Sequence, residues 1–176
     1  MKFKFIVVVG LILFLASCQS SVELGKITET GPPQVSEQRG SFVLYKEPLY
    51  SGRRQSACDG LYRPEAGKNV PDMRDFQYYA CEGRYTLTLS GKKGTTLSLF
   101  GRFKYQKEEG FMVIVKNDDQ KIWVINLNDI PSGRWIKVEA GSQTGSYAVF
   151  FQKASQFDQS ISSVKWGQWW QGNTPE

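Results

Sequence analysis

The sequence predicts an all-β domain, an antiparallel β-sandwich, behind a targeting segment and a flexible tether. Three observations predict it. Short runs of alternating apolar and polar residues recur from Ser41 onward, broken by brief turns. No stretch beyond the first residues sustains a 3.6-residue apolar period. The chain is 176 residues long with 40% hydrophobic side chains, enough for one domain with a buried core.

The elements follow in order. Lys2 and Lys4 precede an uncharged, almost wholly apolar run from Phe5 to Leu15. That run is shorter than the ~20 residues of a membrane-spanning helix, and small residues follow it. Residues 1–17 therefore read as a cleaved signal peptide. Residues 18–40 read as a tether, with Gly31-Pro32-Pro33 and many Ser, Thr, Glu and Gln. Residues 41–176 are the sandwich. Its first strand runs from Ser41 to Tyr45, and two more from Phe76 to Cys81 and from Arg84 to Ser90. Lys92-Lys93-Gly94 is turn chemistry, and alternation resumes from Thr95 to Tyr105, where Gly101 marks a bulge or a close backbone approach. Strands from Phe111 to Lys116 and from Lys121 to Leu127 flank Asn117-Asp118-Asp119-Gln120, which reads as a hairpin turn. Trp135 to Ala140, Ser146 to Gln152 and Ile161 to Trp170 complete the set.

Composition excludes several chemistries. There is no His, which removes Ser-His-Asp triads, Cys-His pairs and His-ligated zinc or haem. No Gly-x-Ser-x-Gly elbow or phosphate loop occurs. The carboxylates Glu65, Asp72, Asp75, Glu82, Glu108, Glu109, Asp118, Asp119, Asp129 and Glu139 fall mostly at turns and strand ends, where solvated charge is expected. Loss of Lys2 and Lys4 with the signal leaves 20 basic against 17 acidic residues, a net charge of +3. With no dense basic run, nucleic acid is not an expected partner.

Leu15-Ala16-Ser17-Cys18 resembles the lipobox of bacterial lipoproteins. The resemblance implies cleavage before Cys18, acylation of its thiol with palmitate-type chains and stable membrane attachment, since each buried CH₂ contributes ~0.8 kcal/mol. Gln19 stands where an Asp would signal inner-membrane retention, so the resemblance implies the cell outer membrane if the envelope is Gram-negative. With Cys18 lipidated, Cys58 and Cys81 remain in an oxidising compartment and are expected to form a disulfide.

Residues Leu97 to Trp166 look like the second half of jelly-roll binding modules of the galactose-binding-like and laminin-G-like kind. Three segments carry the likeness: Phe111-Met112-Val113-Ile114-Val115, the Trp-containing Gly133-Arg134-Trp135-Ile136-Lys137-Val138, and the closing Ile161-Ser162-Ser163-Val164-Lys165-Trp166. Such modules often hold a structural Ca²⁺. Asn117-Asp118-Asp119 supplies oxygen ligands but is explained equally by turn chemistry, and no metal or cofactor is expected.

Two regions are candidate binding surfaces. The irregular segment between Cys58 and Cys81 carries Tyr62, Arg63, Asp72 and Arg74, residue types common at interfaces, although it could equally be a flap over a sheet edge. The Trp residues all lie late in the chain. In an alternating strand Trp135 shares a face with Lys137 and Glu139, while Ile136 and Val138 take the other, so Trp135 is expected to be partly exposed. Trp169 and Trp170 are adjacent and cannot both point inward from one strand. Trp123, Trp135 and Trp169 are the aromatic candidates, against core packing of the same side chains.

These readings converge on a membrane-anchored, extracytoplasmic, non-enzymatic binding or accessory module, with an envelope protein favoured as partner. A carbohydrate-binding module for envelope or extracellular glycan is the alternative, and a small carboxylate-dependent glycan-active enzyme a further one. The glycan reading requires coplanar exposed Trp side chains. The protein reading requires an apolar patch with a polar rim, and an enzyme requires a deep pocket with perturbed carboxylates.

Overall fold

The computed structural model describes residues 26–48, 60–74, 83–125, 127–154, 157 and 161–175. Cys18, Cys58, Cys81 and the strand expected from Phe76 to Cys81 lie outside them. Among the described residues ten strands form two antiparallel sheets, the all-β sandwich that the alternation predicts. The strands are β1 (Ile27–Glu29), β2 (Ser41–Pro48), β3 (Gly60–Tyr62), β4 (Gly83–Ser90), β5 (Thr96–Phe100), β6 (Phe111–Lys116), β7 (Ile122–Val124), β8 (Trp135–Val138), β9 (Tyr147–Gln152) and β10 (Ser163–Trp166). The six-stranded sheet runs β1-β8-β9-β6-β5-β10, and the four-stranded sheet runs β3-β2-β4-β7.

The two sheets bury their strands differently. In the four-stranded sheet, Phe42, Leu44, Tyr85, Leu87 and Leu89 turn into the core, while Val43, Tyr45, Thr86 and Thr88 alternate with them on the outer side. In the six-stranded sheet, β5, β6 and all but the last residue of β9 are buried throughout, so both faces are covered. The inner face packs Leu97, Leu99, Met112, Ile114, Val149 and Phe151 against the four-stranded sheet. The outer face carries a second cluster of Phe111, Val113, Val115, Ala148, Phe150, Trp135 and Trp170. The near-continuous apolar runs of β6 and β9 are the sequence form of this two-sided burial.

The C-terminal segment provides the outer cover. The strand expected through Trp170 stops at Trp166, and Gly167 adopts a φ of +80°, a left-handed conformation that favours glycine. The chain then folds back over the sheet. The Trp169 ring lies 5.3 Å from Phe111 and 5.4 Å from Phe100, and its Nε1–H donates to Ser98 Oγ at 2.7 Å. Trp135 is buried beneath the same segment, 5% exposed, with its Nε1–H donated to the Asn173 carbonyl. This corrects the expected partial exposure of Trp135. At Trp135 both sides of β8 are inside, because the C-terminal segment lies over the side that alternation assigns to solvent, while Lys137 on that side stays half-buried.

The connection after β6 is a second correction. Asn117–Gln120 is not a hairpin turn but a crossing between sheets. β6 already pairs with β5 on one side and β9 on the other, so β7 pairs with β4 in the opposite sheet. Side chains pin the crossing: Asp118 accepts from the Gln120 and Ser146 backbone N–H groups, and Asp119 from that of Lys93. Gly101 makes the close approach expected of it. Its backbone N–H donates to the Gly110 carbonyl, and a Cβ there would collide with the Glu109 carbonyl oxygen.

Two peripheral segments complete the sandwich. Residues 26–40, read from composition as part of the tether, lie along the domain: β1 pairs with β8, and the Ser36 N–H donates to the Gly94 carbonyl. Residues 60–74 pass from one sheet to the other. β3 pairs with β2, after which Val70 and Val164 exchange backbone hydrogen bonds, the Met73 N–H donates to the Ser162 carbonyl, and Asn69 Oδ1 accepts from the Trp166 N–H. This stretch covers the edge that β10 would otherwise present.

Candidate functional site

The outer face of the four-stranded sheet is the candidate site. Register builds it: Leu61, Tyr45 and Thr86 form one cross-strand row, and Val43, Thr88 and Trp123 the next. Ser41 and Ser90 form a third row at the end where Lys121 enters β7. Two large apolar side chains stand out from this face, Leu61 at 63% and Trp123 at 43% exposure. They occupy the two edge strands, so at the usual strand spacing they bracket a surface about 15 Å across. Half-buried Val43 and Tyr45 lie between them with the hydroxyls of Thr86 and Thr88.

Positive charge rims the face. Arg63 and Lys121 line a depression of about 220 Å³ whose other walls are Ser41, Phe42, Val43, Thr88 and Ser90. A second, more open depression of about 450 Å³ shares Ser41 and Ser90 and extends to Arg39, Ala66 and Gly67. Lys121 Nζ sits 5.2 Å from the centre of the Trp123 ring, a cation–π contact that places the ammonium over one side of the indole. The Trp123 backbone N–H donates to Thr144 Oγ1 at 2.9 Å, which caps the β7 edge against further strand pairing. Nearby carboxylates are engaged elsewhere. Asp119 is held below the usual carboxylate range by the Lys93 backbone N–H and by Lys92, whose Nζ lies 3.1 Å away, and Glu65 pairs with Lys68 at 3.8 Å.

The other expected residues scatter. Tyr62 is half-buried and packs on the core, its ring 6.3 Å from that of Phe42. Asp72 and Arg74 form an exposed pair at 2.9 Å, at the end of the segment covering β10, with the guanidinium 5.6 Å from the Phe103 ring. Trp135 and Trp169 belong to the cluster on the outer face of the other sheet. Of the candidates, the structure brings Arg63 and Trp123 to one face. Cys18, Cys58 and Cys81 lie outside the described residues. Among the described residues no group of three or more Cys, Asp and Glu side chains is placed to hold a metal ion.

Leu61, Tyr45, Val43, Thr88 and Lys121 complete the face, and sequence reasoning did not single them out. Alternation alone marks Val43, Tyr45 and Thr88 as outward-facing. The pairing of β3 with β2 and of β7 with β4, which joins them to Leu61 and Trp123, has no local signal. Comparison with protein-family models, curated proteins and solved structures finds no match to the chain, so its own geometry carries the functional reading.

Proposed function

We propose that the mature chain is a lipid-anchored, extracytoplasmic, non-catalytic sandwich that recognises an envelope protein through the outer face of its four-stranded sheet. Cys18 is the proposed lipid attachment point, and a Cys58–Cys81 disulfide the proposed staple of the segment between those two cysteines. The observation that carries the reading is the joint exposure of Leu61 and Trp123 on one sheet face, flanked by Arg63 and Lys121. An apolar centre with a polar, charged rim is the anatomy of a protein interface. The glycan alternative is less well supported. It calls for several coplanar Trp rings, whereas Trp135 is buried, Trp169 packs on the opposite sheet, and Lys121 covers one side of Trp123.

The test is site-specific photocrosslinking in cells. A photoreactive side chain replacing Val43 should yield a discrete protein adduct, and Leu61→Asp or Trp123→Ala in the same chain should reduce it about tenfold. A residue replaced likewise at Lys153, on the other sheet's side, should give none. Absence of a protein adduct from Val43, together with retention of the chain on envelope polysaccharide, would overturn the protein reading in favour of the glycan one.

A further inference from the structure

We propose that the depression between Arg63 and Lys121 receives a carboxylate from an acidic protein segment, which makes the partner's contact surface negatively charged beside an apolar anchor. This deepens the reading of the outer face as a protein-binding surface and rests on it.

Charge complementarity carries the argument. Six cations of the described surface are matched by carboxylates: Lys92 with Asp119, Lys68 with Glu65, Arg74 with Asp72, Arg102 with Glu109, Arg134 with Glu29 and Lys137 with Glu139. Arg63 and Lys121 belong to none of these pairs, as Lys26, Lys93, Lys104 and Lys107 do not, but these two line the same depression, and among the described residues no acidic side chain lines it with them. Two like charges held at one concavity leave a positive potential there that an incoming anion relieves. The depression also offers hydroxyls, from Ser41, Thr88 and Ser90, that can donate to a carboxylate oxygen. A guanidinium donates two parallel hydrogen bonds to a carboxylate, and an ammonium adds a mobile point charge. Arg39, in the adjoining depression, continues the positive strip along the sheet end.

The apolar neighbours decide the kind of anion. Leu61, Val43, Tyr45 and Trp123 stand beside the cations on the same face. An acidic polysaccharide has no aliphatic side chains with which to cover Leu61. An anionic bilayer surface would be met by a broad field of lysines, not by two cations set in a concavity among apolar groups. A protein segment carrying Asp or Glu next to an aliphatic or aromatic residue satisfies both features.

The experiment uses the lipidated, isotope-labelled protein in zwitterionic detergent, titrated with four probes: a Glu/Tyr random copolymer, poly-L-glutamate, polygalacturonate and phosphatidylglycerol bicelles. The Glu/Tyr copolymer should shift the Trp123 indole and Thr88 amide resonances and bind more tightly than the other three. Arg63→Gln with Lys121→Gln should weaken it by about tenfold, and raising salt from about 0.05 to about 0.5 M should weaken it in the wild type more than in the double variant. Both residues are on the surface, and an unchanged amide spectrum away from this face verifies folding of the variant. Tighter binding of polygalacturonate or of the bicelles, or copolymer binding indifferent to the double substitution, would overturn the proposal. The crosslinking assay separates the two levels of the argument. An adduct lost with Leu61→Asp but kept in the Gln double variant retains the face and removes the acidic partner; an adduct lost with neither removes both.

Discussion

Lys46 enters the sandwich from the inner side of β2, at a position where the alternation of Phe42 and Leu44 calls for an apolar residue. It is 2% exposed, with Nζ 4.9 Å from the centre of the Tyr85 ring. Burial disfavours its charged form and pulls the ammonium down to about 8, while burial pushes the Tyr85 phenol up to about 12 and that of Tyr147 higher still. The sign of the pH dependence follows. Between pH 8 and the ordinary value near 10.5, the unfolded chain keeps the Lys46 proton and the folded chain has released it, so stability rises with pH across that window. Above about pH 10 the unfolded tyrosines ionise while Tyr85 and Tyr147 stay protonated, and stability falls again. Thermal melts should therefore show a midpoint that climbs on the order of 5 °C from pH 8 towards pH 10 and then declines. Lys46→Met should flatten most of the climb. Lys116, also lowered by burial but opposed by Asp118 and Asp119, supplies the remainder. A midpoint that stays flat in the wild type would refute the assignment.

At the scale of elements, the two sheets divide labour between a face that is closed and a face that is open. The C-terminal segment closes the six-stranded sheet with Trp170, 8% exposed and 6.1 Å from Trp135. Trp170→Ala should cost about 3–5 kcal/mol in urea unfolding, as expected for a buried Trp, and leave the Val43 crosslink intact. Trp123→Ala should cost under about 1 kcal/mol while reducing the crosslink, as expected for an exposed side chain in an interface. Legibility in the sequence follows the same division. β2, β4, β6 and β9 are legible because their own residues carry the pattern, by alternation or by an unbroken apolar run. β1 and β3, three residues each, are strands only because β8 and β2 pair with them, and nothing local in Ile27–Glu29 or Gly60–Tyr62 announces it. The crossing at Asn117–Gln120 reads as a hairpin because turn chemistry is the same whether the chain returns to its own sheet or leaves for another. Trp135 reads as half-exposed because alternation reports two faces of a strand and says nothing of a distant segment that covers one of them. Arg63 and Trp123 were visible as residue types suited to binding, but their meeting on one face depends on the order of strands.

For the molecule as a whole, the net charge of +5, or +3 on the proposed cleavage before Cys18, is small, and its significance lies in where it is left uncompensated. On the proposed anchor, Cys18→Ala should move the chain from the membrane to the soluble fraction, read by fractionation and by loss of labelled palmitate. A variant still in the membrane fraction would remove the lipid-attachment reading. The pairing of β1 with β8 then sets a working height. With the chain secured from Lys26, whose carbonyl accepts the Glu139 N–H, only residues 19–25 would separate a lipid on Cys18 from the domain. Seven residues reach at most about 25 Å, where a tether running to Gly40 would reach about 75 Å. On the proposed anchor, a leash so short would keep the domain from sweeping the compartment. The proposed partner would then have to come to it, within the first layer above the lipid headgroups.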